Sequence, residues 1–125
     1  MKRNYRGFLC SSKIYRMAEK EQELVVFQTE NGALQLRKDI NEETFWANQS
    51  DISKLFDRDQ SVISRHIRNI LKSKEVDENS NMQKMHIANS DKPVTFYSLD
   101  IILAVGYRVD SSKAIKFRKW ATQIL

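Results

Sequence analysis

The stretch Asn48–Lys72, NQSDISKLFDRDQSVISRHIRNILK, decides the fold. It reads as two helices joined by a tight turn. Asn48 is a good N-cap, and Asp51 can reach back to the exposed first-turn amides. Ile52, Leu55 and Phe56 share one helical face. Asp57-Arg58-Asp59 interrupts that pattern. Apolar spacing then resumes at Ile63, Ile67, Ile70 and Leu71, the stripe of a helix docked on one side. Packing the two stripes together leaves Gln60, Ser61, Ser64, Arg65 and Arg68 on an outer face.

A helix-turn-helix offers such a face to the major groove of DNA. Arg can bond a guanine edge, Gln an adenine edge, and Ser a phosphate or either base. Many such motifs have Gly in the turn where this chain has Asp57, an apolar residue in place of Arg58, and Ala in place of Ser53. Asp is among the few non-glycine residues that tolerate a left-handed backbone, so the turn is retained as an expectation. A helical hairpin with a solvated basic face is the plainer reading, and we place it second.

Working outward, Leu24–Thr29 and Leu34–Lys38 flank Glu30-Asn31-Gly32-Ala33, a β-hairpin signal with Asn-Gly at the tip. That register sets Phe27 against Leu36 and Thr29 against Leu34. Asp39–Glu43 reads as a polar connection, and Trp46 as a core anchor. On the other side, Ser73–Asn81 reads as a loop. Met82–Ala88 and Val94–Ser98 read as two strands. A hairpin directly after a reading helix is the usual wing of a winged helix, and Lys84, His86 and Lys92 are placed there to meet phosphate or a minor groove. A hairpin that merely closes the core is the alternative. Ser98 should cap a helix over Leu99–Val105, with Asp100 in its first turn and Gly106 ending it. Ser111 or Ser112 should cap a last helix with the stripe Ala114, Phe117, Trp120, Ala121 and Ile124. Lys113, Lys116 and Lys119 lie on another face, read as solvated or as a phosphate-binding edge.

The expected architecture is therefore α+β: winged helix-turn-helix-like, with an N-terminal β-hairpin and two C-terminal helices. Residues 1–23 read as a basic arm and residues 24–125 as the domain. Met17 opens a more natural beginning than Met1, so translation is expected to start there. The last apolar stripe runs to Leu125 without a capping signal, which suggests a truncated version of something longer or a helix that pairs with another subunit.

A formal charge of +5 and a pI near 9.4 favour an anionic partner, of which nucleic acid is the commonest. The positive charge is concentrated in residues 1–23, 48–72 and 99–125. With one cysteine, Cys10, no internal disulfide can form, which fits a reducing cytoplasm. No apolar run approaches the ~20 residues of a membrane span. His66 and His86 lie on different elements, and there is neither a glycine-rich phosphate loop nor metal-ligand spacing. We therefore expect no catalytic residues, no cofactor and no metal.

Several stretches also carry a family resemblance: Val26-Phe27-Gln28-Thr29-Glu30-Asn31-Gly32, Ile63–Ile70, Val76–Ser80, and Tyr97-Ser98-Leu99-Asp100 through Val105-Gly106-Tyr107-Arg108-Val109 to Phe117–Thr122. In these residues the chain resembles the RhuM (virulence RhuM) family of bacterial proteins over roughly residues 24–125. The closing helix is similar to the end of Bro-type and KilA-type DNA-binding N-terminal domains. The resemblance implies a DNA-binding module of mobile elements, pathogenicity islands and toxin–antitoxin-like neighbourhoods. Three features depart from the family: residues 1–16 have no counterpart, the wing is short, and family members run on past Ile124-Leu125.

The expected function is a transcriptional regulator or DNA-targeting module that reads duplex DNA with Gln60, Ser61, Ser64, Arg65 and Arg68, while Arg58, Lys72 and Lys84 serve phosphate. Homodimerisation would supply two half-sites, although no heptad supports it. The rival is a protein-interaction module, antirepressor- or antitoxin-like, that uses the same basic helix on an acidic partner. A second rival is an accessory fragment of a nuclease or transferase.

Overall fold

The computed structural model describes residues 22–85 and 92–125. The expectations for the basic arm before Gln22, for Met17 and Cys10, and for the hairpin tip with His86 lie outside the described residues. The fold is α+β. Three antiparallel strands, β1 (Gln22–Thr29), β2 (Gly32–Asp39) and β3 (Phe45–Trp46), are followed by helices α1 (Gln49–Phe56) and α2 (Gln60–Ser73). A single-turn helix α3 (Glu78–Asn81) leads into a second antiparallel pair, β4 (Met82–Met85) and β5 (Val94–Tyr97). Helices α4 (Leu99–Val109) and α5 (Ser111–Ile124) complete the chain.

The hairpin forms, but its register differs from the expected one. Phe27 faces Leu34 and Thr29 faces Gly32, so Glu30-Asn31 form the tip. A two-residue shift keeps every side chain on its own face, so the core is unaffected. A primed turn at Asn31-Gly32 would need positive φ at Asn31, and in type I′ at both residues. Only Gly32 has it, at 138°. Thr29 stabilises the observed turn instead: its hydroxyl donates to the Gly32 carbonyl at 2.6 Å and accepts from the Asn31 amide at 3.2 Å.

Asp39 is a second local organiser. One carboxylate oxygen accepts the Asn41 and Glu42 amides, and the other accepts the buried Trp46 indole N–H at 2.9 Å. This folds the expected polar connection back on itself, so that Phe45 and Trp46 add a third strand to the sheet. Trp46 is the anchor expected of it, fully buried with Met85 and Phe96 under the second hairpin.

On the opposite face of the sheet, α5 presents an aromatic layer. Phe27 meets Phe117 edge-on at 5.2 Å, and Phe45 stacks on Trp120 at 5.2 Å. Such pairs contribute about 0.5–1.5 kcal/mol each beyond their buried area. Ala114, Phe117 and Ala121 of the expected stripe are buried, whereas Ile124 is exposed.

Gly106 does not end a helix. It lies within α4, which runs on to Val109, and it is fully buried. A Cβ there would meet Phe56 Cζ at 2.5 Å and Ala114 Cβ at 2.9 Å. The glycine is needed because α4 approaches both the end of α1 and the start of α5. The next helix is capped by Asp110, whose carboxylate accepts the Lys113 amide at 3.2 Å, rather than by Ser111 or Ser112. Ser98 occupies the N-cap position of α4, but its hydroxyl is turned to Asn81. Thr44 Oγ1 accepts the Leu99 amide in its place.

The second hairpin is attached to the sheet at its base, where Ala47 bridges Tyr97 through two backbone hydrogen bonds of 2.8 and 3.0 Å. The base of the hairpin thus contributes to the core, an arrangement compatible with a winged helix-turn-helix-like fold. Among the described residues no helix is long and apolar enough to cross a membrane.

Candidate nucleic-acid interface

The helix-turn-helix is built as its residues dictate. Asn48 Oδ1 accepts the Asp51 amide at 2.8 Å, and Asp51 accepts the Asn48 amide in return, a complete capping box. Burial raises the Asp51 carboxyl above its ordinary range, against the pull of the Asn48 amide and of Lys54 and Arg37. Asp57 ends α1 in the left-handed region at φ 55° and ψ 53°, so aspartate performs the turn that glycine performs elsewhere. Asp59 caps α2, accepting both the amide and the hydroxyl of Ser61, and these bonds hold its carboxyl below the usual range.

Ile63, Ile67 and Ile70 anchor α2 in the core, with Leu71 half-buried. Burying each isoleucine contributes about 1.5–3 kcal/mol, which fixes the roll of the helix about its axis. At 3.6 residues per turn the opposite side carries Ser61, Arg65, Arg68 and Lys72, all exposed. Among the described residues, neither β4, β5 nor α5 covers Arg65 or Arg68, and both are exposed. Gln60 is exposed at the first turn, and Ser64 is half-buried at the flank, where its hydroxyl accepts from Arg68 Nη1 at 2.9 Å. Lys84 is exposed on β4, on a separate element.

Arg58 is placed differently from the rest. Its guanidinium donates to the carbonyls of Phe56 and Asp57 at the end of α1, and to that of Val109 at 2.8 Å at the end of α4. It satisfies helix-end acceptors within the fold and does not stand with the outward stripe. At the far end of α2, Glu75 is gripped by both terminal nitrogens of Arg108, one at 3.3 Å and one closer. That contact, together with the Ser73 hydroxyl, lowers the Glu75 carboxyl below its ordinary range. Glu75 carries no signal in the sequence, and Arg108 enters it only within the block Val105–Val109, with nothing there to pair the two. His66, between these ends, is depressed by burial first and then by the Arg65 and Arg108 charges.

A concavity of about 230 Å³ lies between the β1–β2 turn, α1 and the start of α5. Phe27 and Leu55 line it with Lys54, Lys113 and Lys116, but Glu30 and Asp57 line it too, so it carries no single sign of charge.

Residues 65–125 match the family model described as Virulence protein RhuM family. The matched span is narrower than the resemblance drawn from the sequence, and the β1–β2 stretch Val26–Gly32 stands outside it. No curated protein and no solved structure matches the chain.

Proposed function

We propose that this chain, whose residues 65–125 belong to the Virulence protein RhuM family, binds double-stranded DNA through the outward side of α2. Its role is that of a transcriptional regulator or DNA-targeting module of a mobile element or pathogenicity island, acting in the cytoplasm. One observation carries this reading: the isoleucine side of α2 is locked into the core while Ser61, Arg65, Arg68 and Lys72 face out together.

Gln60 and Ser61 sit in the first turn, the part of a recognition helix that contacts base edges, with Arg65 one turn further on. Arg65 and Arg68 offer guanidinium forks suited to guanine edges or phosphate. Lys72 and Lys84 are single charges suited to the backbone, and Ser64 orients Arg68.

A gel-shift titration against random duplex at two salt concentrations tests this. If Arg68, Lys72 and Lys84 each neutralise one phosphate, a fourfold rise in salt weakens binding about fortyfold through counterion release. Absence of binding at low salt would overturn the reading and favour an acidic protein partner for the same helix.

A further inference from the structure

The last turn of α4 touches the residues that flank α2 on either side, just before its N-cap and just after its C-cap. Before the helix begins, Arg58 Nη2 donates to the Val109 carbonyl at 2.8 Å. After it ends, Arg108, the residue next to Val109, holds Glu75 with a two-toothed grip. Between them, the α2 side chain within electrostatic reach of Arg108 is His66. Two adjacent residues of one helix thus hold the segments that lead into and out of another.

We propose that this turn is a clamp that sets how α2 is presented to DNA, and that Arg108 and Glu75 are positioning residues for sequence discrimination. The inference rests on the DNA-reading role of α2 and deepens it.

Exposure shows that the grip is not there chiefly for stability. The Arg108 and Glu75 side chains are 34% and 41% accessible, and ion pairs so open to water add little to folding. A bidentate guanidinium–carboxylate contact instead fixes direction, because two parallel bonds leave no freedom to swivel. The isoleucine stripe sets the roll of α2 about its axis; tethers at the two termini set its tilt. Side chains reading base edges must meet them within a fraction of an ångström, so tilt governs the choice between sequences more than adhesion to the backbone.

Charge makes the test decisive. Near DNA, Glu75→Ala removes a repulsive charge and Arg108→Ala removes an attractive one. Simple electrostatics therefore moves affinity in opposite directions in the two variants and leaves the ratio between a selected and a scrambled duplex unchanged. The clamp makes that ratio fall in both, by about threefold to tenfold, the lower part of the range of couplings within one ion-pair network, as suits a pair open to water. The charge swap Glu75→Arg with Arg108→Glu should restore most of it. An unchanged ratio in both single variants would overturn the proposal while leaving DNA binding intact. Hydrogen exchange across Ser64–Leu71 reads the clamp without DNA. Faster exchange in both variants supports it and unchanged exchange refutes it, even if the wild-type chain fails to bind duplex and the DNA-reading role falls.

Discussion

Replacing Gly106 with alanine sets two measurable effects against each other. In an exposed helix interior the change gains about 0.8–1 kcal/mol, because alanine loses less backbone entropy than glycine. Here the added methyl would stand 2.5 and 2.8 Å from Phe56 Cζ and Cε1, and 2.9 Å from Ala114 Cβ. The Phe56 ring is completely buried, so it has no free space to swing into, and Ala114 Cβ is rooted in the backbone of α5. Overpacking of this kind costs about 1–3 kcal/mol per site, and displacing a ring and a helix together belongs at the upper end. The net expectation is a loss of about 1–2 kcal/mol, read as a lower urea midpoint with an unchanged slope. Phe56→Leu removes the two ring atoms. Combined with Gly106→Ala it should therefore cost less than the sum of the single changes. A midpoint that rises in the Gly106→Ala chain would refute the close approach of α4 to α1.

Three further perturbations probe the frame around the candidate interface. Asp39→Ala leaves the Trp46 indole N–H and two backbone amides without their acceptor. It should cost about 2–4 kcal/mol and alter the buried tryptophan's fluorescence. Asp57→Gly relieves a left-handed aspartate and should raise stability by about 0.5–1 kcal/mol in the same urea assay, with DNA affinity unchanged. His66 is depressed in the folded chain, so the unfolded chain binds the proton more readily. Stability should be full above the ordinary histidine value of 6.5, fall as pH drops through it, and level off below the folded value. Thermal melts across that range should show a steeper acid loss in the wild type than in His66→Gln.

What the sequence disclosed was local. The Asn48–Asp51 capping box, the left-handed Asp57 and the apolar stripe of α2 each depend on residues within a turn or two of one another, and all three are found. Gly106 reads as a helix end because a glycine after an apolar run marks a helix end and a helix–helix contact equally well. Only the positions of Phe56 and Ala114 separate the two. The β1–β2 register slipped because the Thr29 side chain closes the turn one step earlier than Asn-Gly chemistry favours. Asp110, Ser111 and Ser112 are three adjacent capping residues, and local propensity does not rank them. The ties of Glu75 to Arg108 and of Arg58 to Val109 join residues 33 and 51 positions apart. No periodicity reports such contacts. The outward stripe was therefore legible in the sequence, while the device holding it in place was not.

DNA binding as proposed depends on which surface of α2 meets a duplex. Amide spectra of the labelled chain, titrated with a short DNA duplex at low salt, test this most directly. The expected result is a set of shifts concentrated on Gln60–Lys72, largest at Ser61, Arg65 and Arg68, with a smaller set at Lys84. Shifts confined to the Lys54, Lys113 and Lys116 side of the molecule, or none at any duplex concentration, would contradict it.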